Sequence, residues 1–315
     1  MHAAGRDLTV VIAAVNNERS IAQCVESIRR SCDGLAAEIL LVDASEDRTL
    51  EVVSHVAPEV TIIRRQRGSL VPELWAEGLR QAVGEVVAFT TGHCRVELTW
   101  ARALIDGIAA GAAGVGGRFR LDAKASATGT AMSLLRYSAF LETPGEKEQG
   151  FQEVREIAAD NAAYSHEALS RHDASFARGF WEVEFHHRLR AEQRRLALVA
   201  NATTTVCDTT PLARLLAQRF AHGRHFGAWR RSALGHFPIR VILAGPLVPL
   251  LLFSRVVRRL LRRRALSAPL VASTMPFLLL ASAWAAGEVV GACISRPVRE
   301  RKDRRARGST MSRHA

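Results

Sequence analysis

The run Leu8-Thr-Val-Val-Ile-Ala-Ala-Val15 decides the fold, because it is short, apolar and rich in β-branched residues. Such a run is typical of a strand that is buried on both faces of a sheet. Asn16 and Asn17 follow it at once, and apolar residues at helical spacing then run from position 21 to 30. The segment therefore predicts a strand, a polar turn and a helix, the order that begins an α/β domain.

The same alternation continues along the first 120 residues. It predicts strands at 38–42, 60–63, 85–89 and 114–119, and helices at 49–56, 72–83 and 100–110. Alternating strands and helices favour a mostly parallel sheet, whose ligands bind beyond the carboxyl ends of the strands. Those ends carry Asn16, Asn17, Asp43 and the segment 90–94. We expect the functional site there.

Charge divides the chain into two parts. Residues 1–211 hold 23 Lys and Arg against 28 Asp and Glu, whereas residues 212–315 hold 20 against 3. In the basic part, arginines alternate with long apolar runs, which favours anionic membrane lipid over nucleic acid as a partner. Five cysteines without a Cys-x-x-Cys pair exclude a dense disulfide scaffold and an ordinary zinc ribbon.

Two apolar stretches lie in the basic part. Residues 241–253 are apolar or small, and the 23 residues of 265–287 carry no charge and could cross a bilayer. Arginine clusters stand before, between and after these stretches, so either one or two crossings would place a cluster outside, against the positive-inside tendency. We expect association with the cytoplasmic face of the cell membrane, with segments that dip in and return. The alternative is two buried helices of a soluble domain.

Six motifs in order resemble those of a family 2 glycosyltransferase of the GT-A fold, in its bacterial membrane-associated type. They are the opening strand and loop at 9–18, the second strand and acidic turn at 38–49, the helix and strand at 78–89, the acceptor segment at 159–169, the catalytic-base helix at 179–189 and the basic stretch at 218–224. The resemblance implies an α/β, GT-A-like (Rossmann-like) nucleotide-diphospho-sugar transferase domain with a mostly parallel sheet, plus C-terminal hydrophobic helices. We expect this domain at 1–230, a membrane-associated helical region with an Arg-rich connector at 231–295, and a basic disordered tail at 296–315.

The resemblance also implies an activity. The chain would move a sugar from a nucleotide-sugar donor to a hydroxyl of a lipid-linked or polysaccharide acceptor, with inversion. Glu182 would be the catalytic base that takes the proton of the acceptor. The implied donor contacts are Asn16, Glu18, Asp43, His93, Arg219 and Arg224. The implied acceptor contacts are Asp160, Asn161 and Trp181.

Several of these residues have simpler interpretations. Glu182 would be a structural carboxylate, Asp43 a turn cap, and Asp160 with Asn161 an Asx turn. Glu184 would lie on a solvated helix face. His186 and His187 would be partly exposed residues of the same helix.

The metal motif departs from the family pattern. Thr91-Gly92-His93 stands where the family has Asp-x-Asp, whose carboxylates hold Mg²⁺ or Mn²⁺ against the donor diphosphate. Hard divalent ions prefer carboxylate oxygens, so Mg²⁺ or Mn²⁺ is left open as a cofactor and no metal ligand is assigned. Arginines would then offset the diphosphate charge. The candidates are Arg219, Arg224, Arg64, Arg65 and Arg67.

These departures leave a second function open: a catalytically inactive GT-A-like membrane subunit that binds nucleotide or glycan. A third possibility, an unrelated nucleotide-using α/β enzyme, would need a phosphate-loop motif, and the sequence contains none.

Overall fold

The computed structural model describes residues 6–142, 150–234, 238–262 and 268–294. The strands are β1 (Leu8–Ala14), β2 (Ala37–Asp43), β3 (Thr61–Arg64), β4 (Val86–Thr91), β5 (Cys94–Val96), β6 (Gly114–Gly116), β7 (Phe119–Leu121), β8 (Phe151–Val154), β9 (Ala162–Ser165), β10 (Leu196–Val199) and β11 (Thr204–Val206). The helices are α1 (Ile21–Ser31), α2 (Thr49–Val56), α3 (Val71–Leu79), α4 (Trp100–Ala109), α5 (Ala127–Tyr137), α6 (His166–Ser170), α7 (Glu182–Ala191), α8 (Leu212–Leu234), α9 (Pro238–Ala244), α10 (Val248–Arg262) and α11 (Ala268–Ile294).

The main sheet has the strand order β3-β2-β1-β4-β9-β6-β10-β8 within the described residues. Strands β3, β2, β1 and β4 are parallel to one another. Strand β9 runs antiparallel to β4 and β6, β10 is parallel to β6, and β8 is antiparallel to β10. A smaller sheet has the order β5-β11-β7. The α/β, GT-A-like fold with a mostly parallel sheet is therefore confirmed.

Helices cover both faces of the main sheet, because alternate residues of β1 are apolar on both sides. Val10 and Ile12 pack in one core cluster with side chains of α1 and α4. Val11 and Ala13 pack in a second cluster with side chains of α3 and α7. Burial on both faces is what the uninterrupted apolar run 8–15 predicts.

The C-terminal helices form a further layer on this domain. Phe277 and Leu280 of α11 are buried in a third apolar cluster with Ala131 and Leu134 of α5. By length and composition, two stretches could cross a membrane: Val241–Arg262 and Val271–Ile294, each with a mean hydropathy of 1.8. The expected apolar C-terminal helices are present, and they are weak evidence of membrane association.

The structure differs from the sequence expectations at three places. The expected strand 114–119 is two strands in different sheets. Gly117 lies between them, so close to the carbonyl of Ala202 that no side chain would fit. The expected helix 72–83 ends at Leu79. The expected domain boundary at 230 falls inside α8, and the basic tail at 296–315 lies outside the described residues.

Candidate active site

A cavity of about 390 Å³ opens at the carboxyl ends of β1, β2 and β4. Asn16 and Asn17 after β1, Ala44 after β2, and His93 after β4 line one side. Residues of α5 and α8 line the other side. We call these two sides the strand edge and the helical wall. The strand edge lies where the sequence placed the site, because parallel strands end at a common edge.

Asn16 shapes the strand edge through its own backbone. Its φ of +57° lies in the left-handed region, which asparagine tolerates better than most residues. Its Oδ1 accepts a hydrogen bond from the backbone N–H of Glu46 at 2.9 Å, and its backbone N–H donates to Oγ of Ser45 at 2.8 Å. These bonds tie the β1 loop to the β2 loop. Glu18 is exposed on the adjoining loop and lines a shallower depression beside the cavity.

Asp43 is a buried carboxylate at the end of β2. Its Oδ2 accepts hydrogen bonds from the backbone N–H of Ser45 at 3.2 Å and from Nη1 of Arg64 at 2.7 Å. Its Oδ1 is buried and has no partner among the described residues. An unsatisfied buried carboxylate oxygen is costly, so a ligand hydroxyl that donates to it would be favourable.

Three arginines after β3 are already paired with acids. Arg64 pairs with Asp43, as described above. Arg65 lies 3.0 Å from a carboxylate oxygen of Glu77, and Arg67 lies 3.7 Å from one of Glu46. These partners compete with a donor diphosphate for the same guanidinium groups.

The residues at the family's metal position do not fit a divalent ion. Nε2 of His93 lies 3.2 Å from Oγ1 of Thr91, and that hydroxyl also lies 3.2 Å from Sγ of Cys94. In the described part of the chain, no group of three or more His, Cys, Asp or Glu side chains is placed to hold a metal ion. Hydroxyl, thiol and imidazole groups are poor ligands for Mg²⁺, which prefers several oxygens with negative charge.

The helical wall carries buried positive charge. Arg136 of α5 and Arg219 of α8 both line the cavity. Arg136 pairs with the fully buried Asp160. Burial alone would lower the pKa of Arg136, but the charge of Asp160 holds it above its ordinary value. The sequence did not single out Arg136. A lone arginine in the apolar helical run 131–137 is the signal that could have found it.

Arg219 has no ion pair with a carboxylate like that of Arg136 with Asp160, within the described residues. Its Nε is buried and makes no hydrogen bond within the residues described. Burial, and then the charge of Arg136, lower the pKa of Arg219 to about 9. His222 lies one turn further along α8, also against the cavity. Burial and the nearby arginines hold the pKa of His222 well below its ordinary value, so its imidazole is neutral. An anion in the cavity would relieve this repulsion.

Glu182 begins α7 and lies close to the same charges. Burial raises the pKa of Glu182 to about 7; the positive charge of Arg136 opposes this shift and the negative charge of Asp160 adds to it. A carboxylate whose pKa lies near the working pH is well suited to accept a proton in a reaction.

Trp181 and Glu184 fix α7 to α8 through His225. The indole of Trp181 stacks on the His225 imidazole, with ring centroids 3.5 Å apart and an interplanar angle of 7°. Oε1 of Glu184 lies 2.6 Å from Nε2 of His225. The interpretation of Glu184 as a solvated residue is therefore wrong.

His186 lies on the opposite side of α7 from solvent. It is fully buried, and its Nε2 lies 2.8 Å from the hydroxyl of Tyr164. Burial lowers the pKa of His186 to about 3. The expectation of partial exposure is wrong for His186, whereas His187 is exposed.

The surroundings of Asn161 and Arg224 differ from those that the family resemblance implied. The side-chain amide of Asn161 accepts from Nε1 of Trp100 at 2.7 Å and donates to the carbonyls of Arg118 and Ala202, each at 2.9 Å. This buried amide links three loops and has no group left for an acceptor. Arg224 is exposed on α8 and does not line the cavity.

A cavity at the carboxyl ends of parallel strands, lined by polar and charged side chains among apolar ones, fits a GT-A-like domain. The chain belongs to glycosyl transferase family 2, whose model matches residues 9–173, just over half of the chain.

Curated relatives match over a shorter segment. The chain is 34% identical over 109 residues to polypeptide N-acetylgalactosaminyltransferase 10 of Mus musculus, which is 32% of this chain and 18% of that protein. The proteins of the same name from Rattus norvegicus and Homo sapiens are each 33% identical over 109 residues. The chain thus spans less than a fifth of the length of these relatives. A mycobacterial protein of known crystal structure matches with a TM-score of 0.49 and 19% identity, over 69% of this chain and 72% of that one.

Proposed function

We propose that this chain is a glycosyltransferase that transfers a sugar, with inversion, from a nucleoside-diphosphate sugar to a hydroxyl of a lipid-linked or polysaccharide acceptor. The observation that carries the proposal is Glu182, whose pKa is raised to about 7 beside Arg136 and Asp160. In the reaction, Glu182 takes the proton of the acceptor hydroxyl as the oxygen forms a bond to the anomeric carbon. The bond from that carbon to the diphosphate breaks on the opposite face, and its electron pair leaves with the nucleoside diphosphate.

The donor would lie across the cavity. Asn16 and the free oxygen of Asp43 suit the hydroxyls of a nucleoside at the strand edge, with His93 as a further polar contact. Arg219 suits the diphosphate, because its guanidinium lies partly buried in the cavity wall and its Nε makes no hydrogen bond within the described part of the chain. Since the residues at 91–93 do not suit Mg²⁺ or Mn²⁺, the leaving diphosphate would be stabilised by arginine rather than by a metal.

The acceptor would enter beside α7, where Trp181 and Asp160 lie near Glu182. We place the reaction at the cytoplasmic face of the membrane, where nucleotide sugars are made, and anionic lipid would hold the protein there. The two apolar C-terminal stretches and the basic charge of residues 212–315 support this location.

Glu182→Gln tests the base. The purified full chain would be given UDP-, GDP-, CDP- and dTDP-sugars with a membrane extract as acceptor source, and released nucleoside diphosphate would be measured. We expect Glu182→Gln to lose at least about 100-fold in turnover with nucleotide affinity retained, because general-base catalysis contributes roughly that much. Glu184→Gln is the matched control on the same helix, since glutamine can still accept the hydrogen bond of His225.

Two outcomes would count against the proposal. Full turnover in Glu182→Gln would show that another group takes the proton. Nucleotide binding without any transfer by the natural sequence would favour the inactive, ligand-binding subunit.

A further inference from the structure

Helix α11 has one protein-covered face and one bare apolar face. Phe277, Leu280 and Ala281 are buried against α5 and α10. Among residues 271–294, most exposed positions fall on one stripe at helical spacing. The exposed residues are Val271, Ala272, Met275, Leu279, Ser282, Ala286, Cys293 and Ile294. Glu288 is the single charged residue of α11, and it is buried against Arg230 of α8. The bare stripe therefore presents no charge along its length.

Helices α8 and α11 run parallel in direct backbone contact. A side chain at Gly223 or Gly227 of α8 would collide with the carbonyl oxygen of Trp284 or Glu288 of α11. A side chain at Gly287 or Gly291 would collide in the same way with the α8 backbone at Phe220 or Arg224. The two helices therefore occupy the same depth along their shared length.

This contact is incompatible with a membrane-spanning α11. If α11 crossed a bilayer, α8 would have to enter the hydrocarbon beside it, with the exposed Arg224 and the partly exposed Arg230 and Arg231. Helix α5 packs on the other end of α11 and would carry Arg136 in with it. Each charged side chain within the hydrocarbon is costly.

The uncharged part of the α9–α10 stretch is shorter than a hydrocarbon core. Only 14 uncharged residues separate Arg240 from Arg255. As a continuous helix they would measure about 21 Å, against a hydrocarbon core of about 30 Å. A 3₁₀ turn at Gly245–Leu247 also interrupts the helix.

Helix α10 has the pattern of an interfacial helix. Val256 and Leu260 are buried in the protein, whereas Leu250 and Leu251 are 60% and 50% exposed. Exposed arginines follow the leucines along the helix, and they are Arg255, Arg258, Arg259 and Arg262. Apolar side chains next to cations match the acyl boundary and the headgroups of an anionic leaflet.

We propose that α9, α10 and α11 form a one-sided anchor that enters a single anionic leaflet without crossing the bilayer. This inference rests on the membrane location in the proposed function. The anchor lies directly behind the catalytic machinery, because α5 and α8 line the cavity on one side and contact α11 on the other. A lipid-linked acceptor held in the same leaflet would be within reach of the site.

Cysteine labelling tests the topology without requiring turnover. One probe is the native, exposed Cys293 at the end of α11. The other is Arg262→Cys in a chain with Cys293→Ser, and both chains carry Cys207→Ser to remove the partly exposed thiol. A membrane-impermeant maleimide is added to inverted and to right-side-out vesicles of expressing cells.

The anchor predicts that both probes react in inverted vesicles and neither reacts in right-side-out vesicles. Reaction of position 262 from outside would indicate two crossings, and reaction of Cys293 from outside would indicate one. Either result would overturn the anchor while leaving the assignment of Glu182 untouched.

Vesicle flotation tests the lipid-facing surface. The full chain is mixed with vesicles of phosphatidylcholine, alone or with phosphatidylglycerol. We expect stronger binding to the anionic vesicles and at least a tenfold loss of affinity in Leu250→Glu/Leu251→Glu. Leu98→Glu is the control, because Leu98 is 67% exposed and lies before α4, away from the anchor. Equal loss in the control, or no loss in the double variant, would show that this surface does not bind the membrane.

Discussion

The two sides of the cavity are built in different ways. At the strand edge, short loops that follow β1 and β2 are held together by hydrogen bonds to backbone groups, as at Asn16 and Ser45. In the helical wall, side chains from α5 and α8 meet across a long separation in sequence, and together with Glu182 at the start of the adjoining α7 their charges add to the effect of burial on one another's pKa values. The comparison teaches that the geometry of the strand edge rests on local backbone shape, whereas that of the helical wall rests on tertiary packing.

The largest expected effect follows from disrupting the glycine contact between α8 and α11, which holds the helical wall in place. Gly227→Leu would force α8 away from the Glu288 carbonyl, at a cost of about 3 kcal/mol of unfolding free energy. It would also displace Arg219 and His222 and so remove turnover. Thermal unfolding and donor turnover would be measured together. Gly150→Leu is the control, because no atom lies within 4 Å of a side chain built there. Equal stability of the two variants would show that the glycine contact is not needed.

A smaller effect is expected between the two sides, at Asn161. Asn161→Ala removes the partner of the buried Trp100 N–H and of the Ala202 carbonyl, while the Arg118 carbonyl keeps the N–H of Thr204, and should lower the free energy of unfolding by about 2 kcal/mol. Asn201→Ala is the matched control, because Asn201 is exposed. Denaturant unfolding would compare them. An Asn161→Ala protein of unchanged stability but weakened acceptor binding would restore the role that the sequence implied.

Glu182, which lies beside the helical wall, also predicts how turnover depends on pH. Glu182 must be ionised to act as a base, so turnover should rise about tenfold per pH unit up to about 7 and then level off. Because folding raises this pKa, the protonated form favours the folded state, and its contribution to stability is lost as pH rises from about 4.5 to about 7. Turnover between pH 5 and 9 would be measured. A flat profile would contradict the assignment.

The smallest effects concern the donor diphosphate. Arg219→Gln should weaken binding of a nucleoside diphosphate about tenfold, since a charge-assisted hydrogen bond contributes roughly 1.5–3 kcal/mol. Arg224→Gln, on the exposed side of the same helix, should leave it unchanged. A chelator should not alter the rise in melting temperature that the nucleotide causes in the natural sequence. Loss of that rise with chelator would show that a metal takes part.

The strand edge was predictable, because its residues directly follow apolar runs that could only be buried strands. Asn16 and Asp43 were found in this way, and the alternation of strands and helices predicted the sheet. The position of Glu182 came from a family motif, and its raised pKa could not be foreseen, because it depends on the burial that the fold imposes, against which Arg136 acts and to which Asp160 adds.

The helical wall was not predictable from local pattern. Arg136 belongs to no motif, and only the fold brings it to Asp160. Asn161 stands in a motif beside Asp160, but the sequence cannot show that Trp100, Arg118 and Ala202 meet around its amide. Glu184 was expected in solvent because the sequence does not show that α8 packs against α7 and brings His225 to this carboxylate.

The four glycines between α8 and α11 have a mechanical consequence. Because no side chain separates the two backbones at these glycines, α8 and α11 pack as one rigid unit. In this unit α11 presents the exposed apolar stripe, and α8 places Arg219 and His222 in the cavity lining. A displacement of α11 would therefore be transmitted to Arg219 and His222, because close-packed helices have low compressibility.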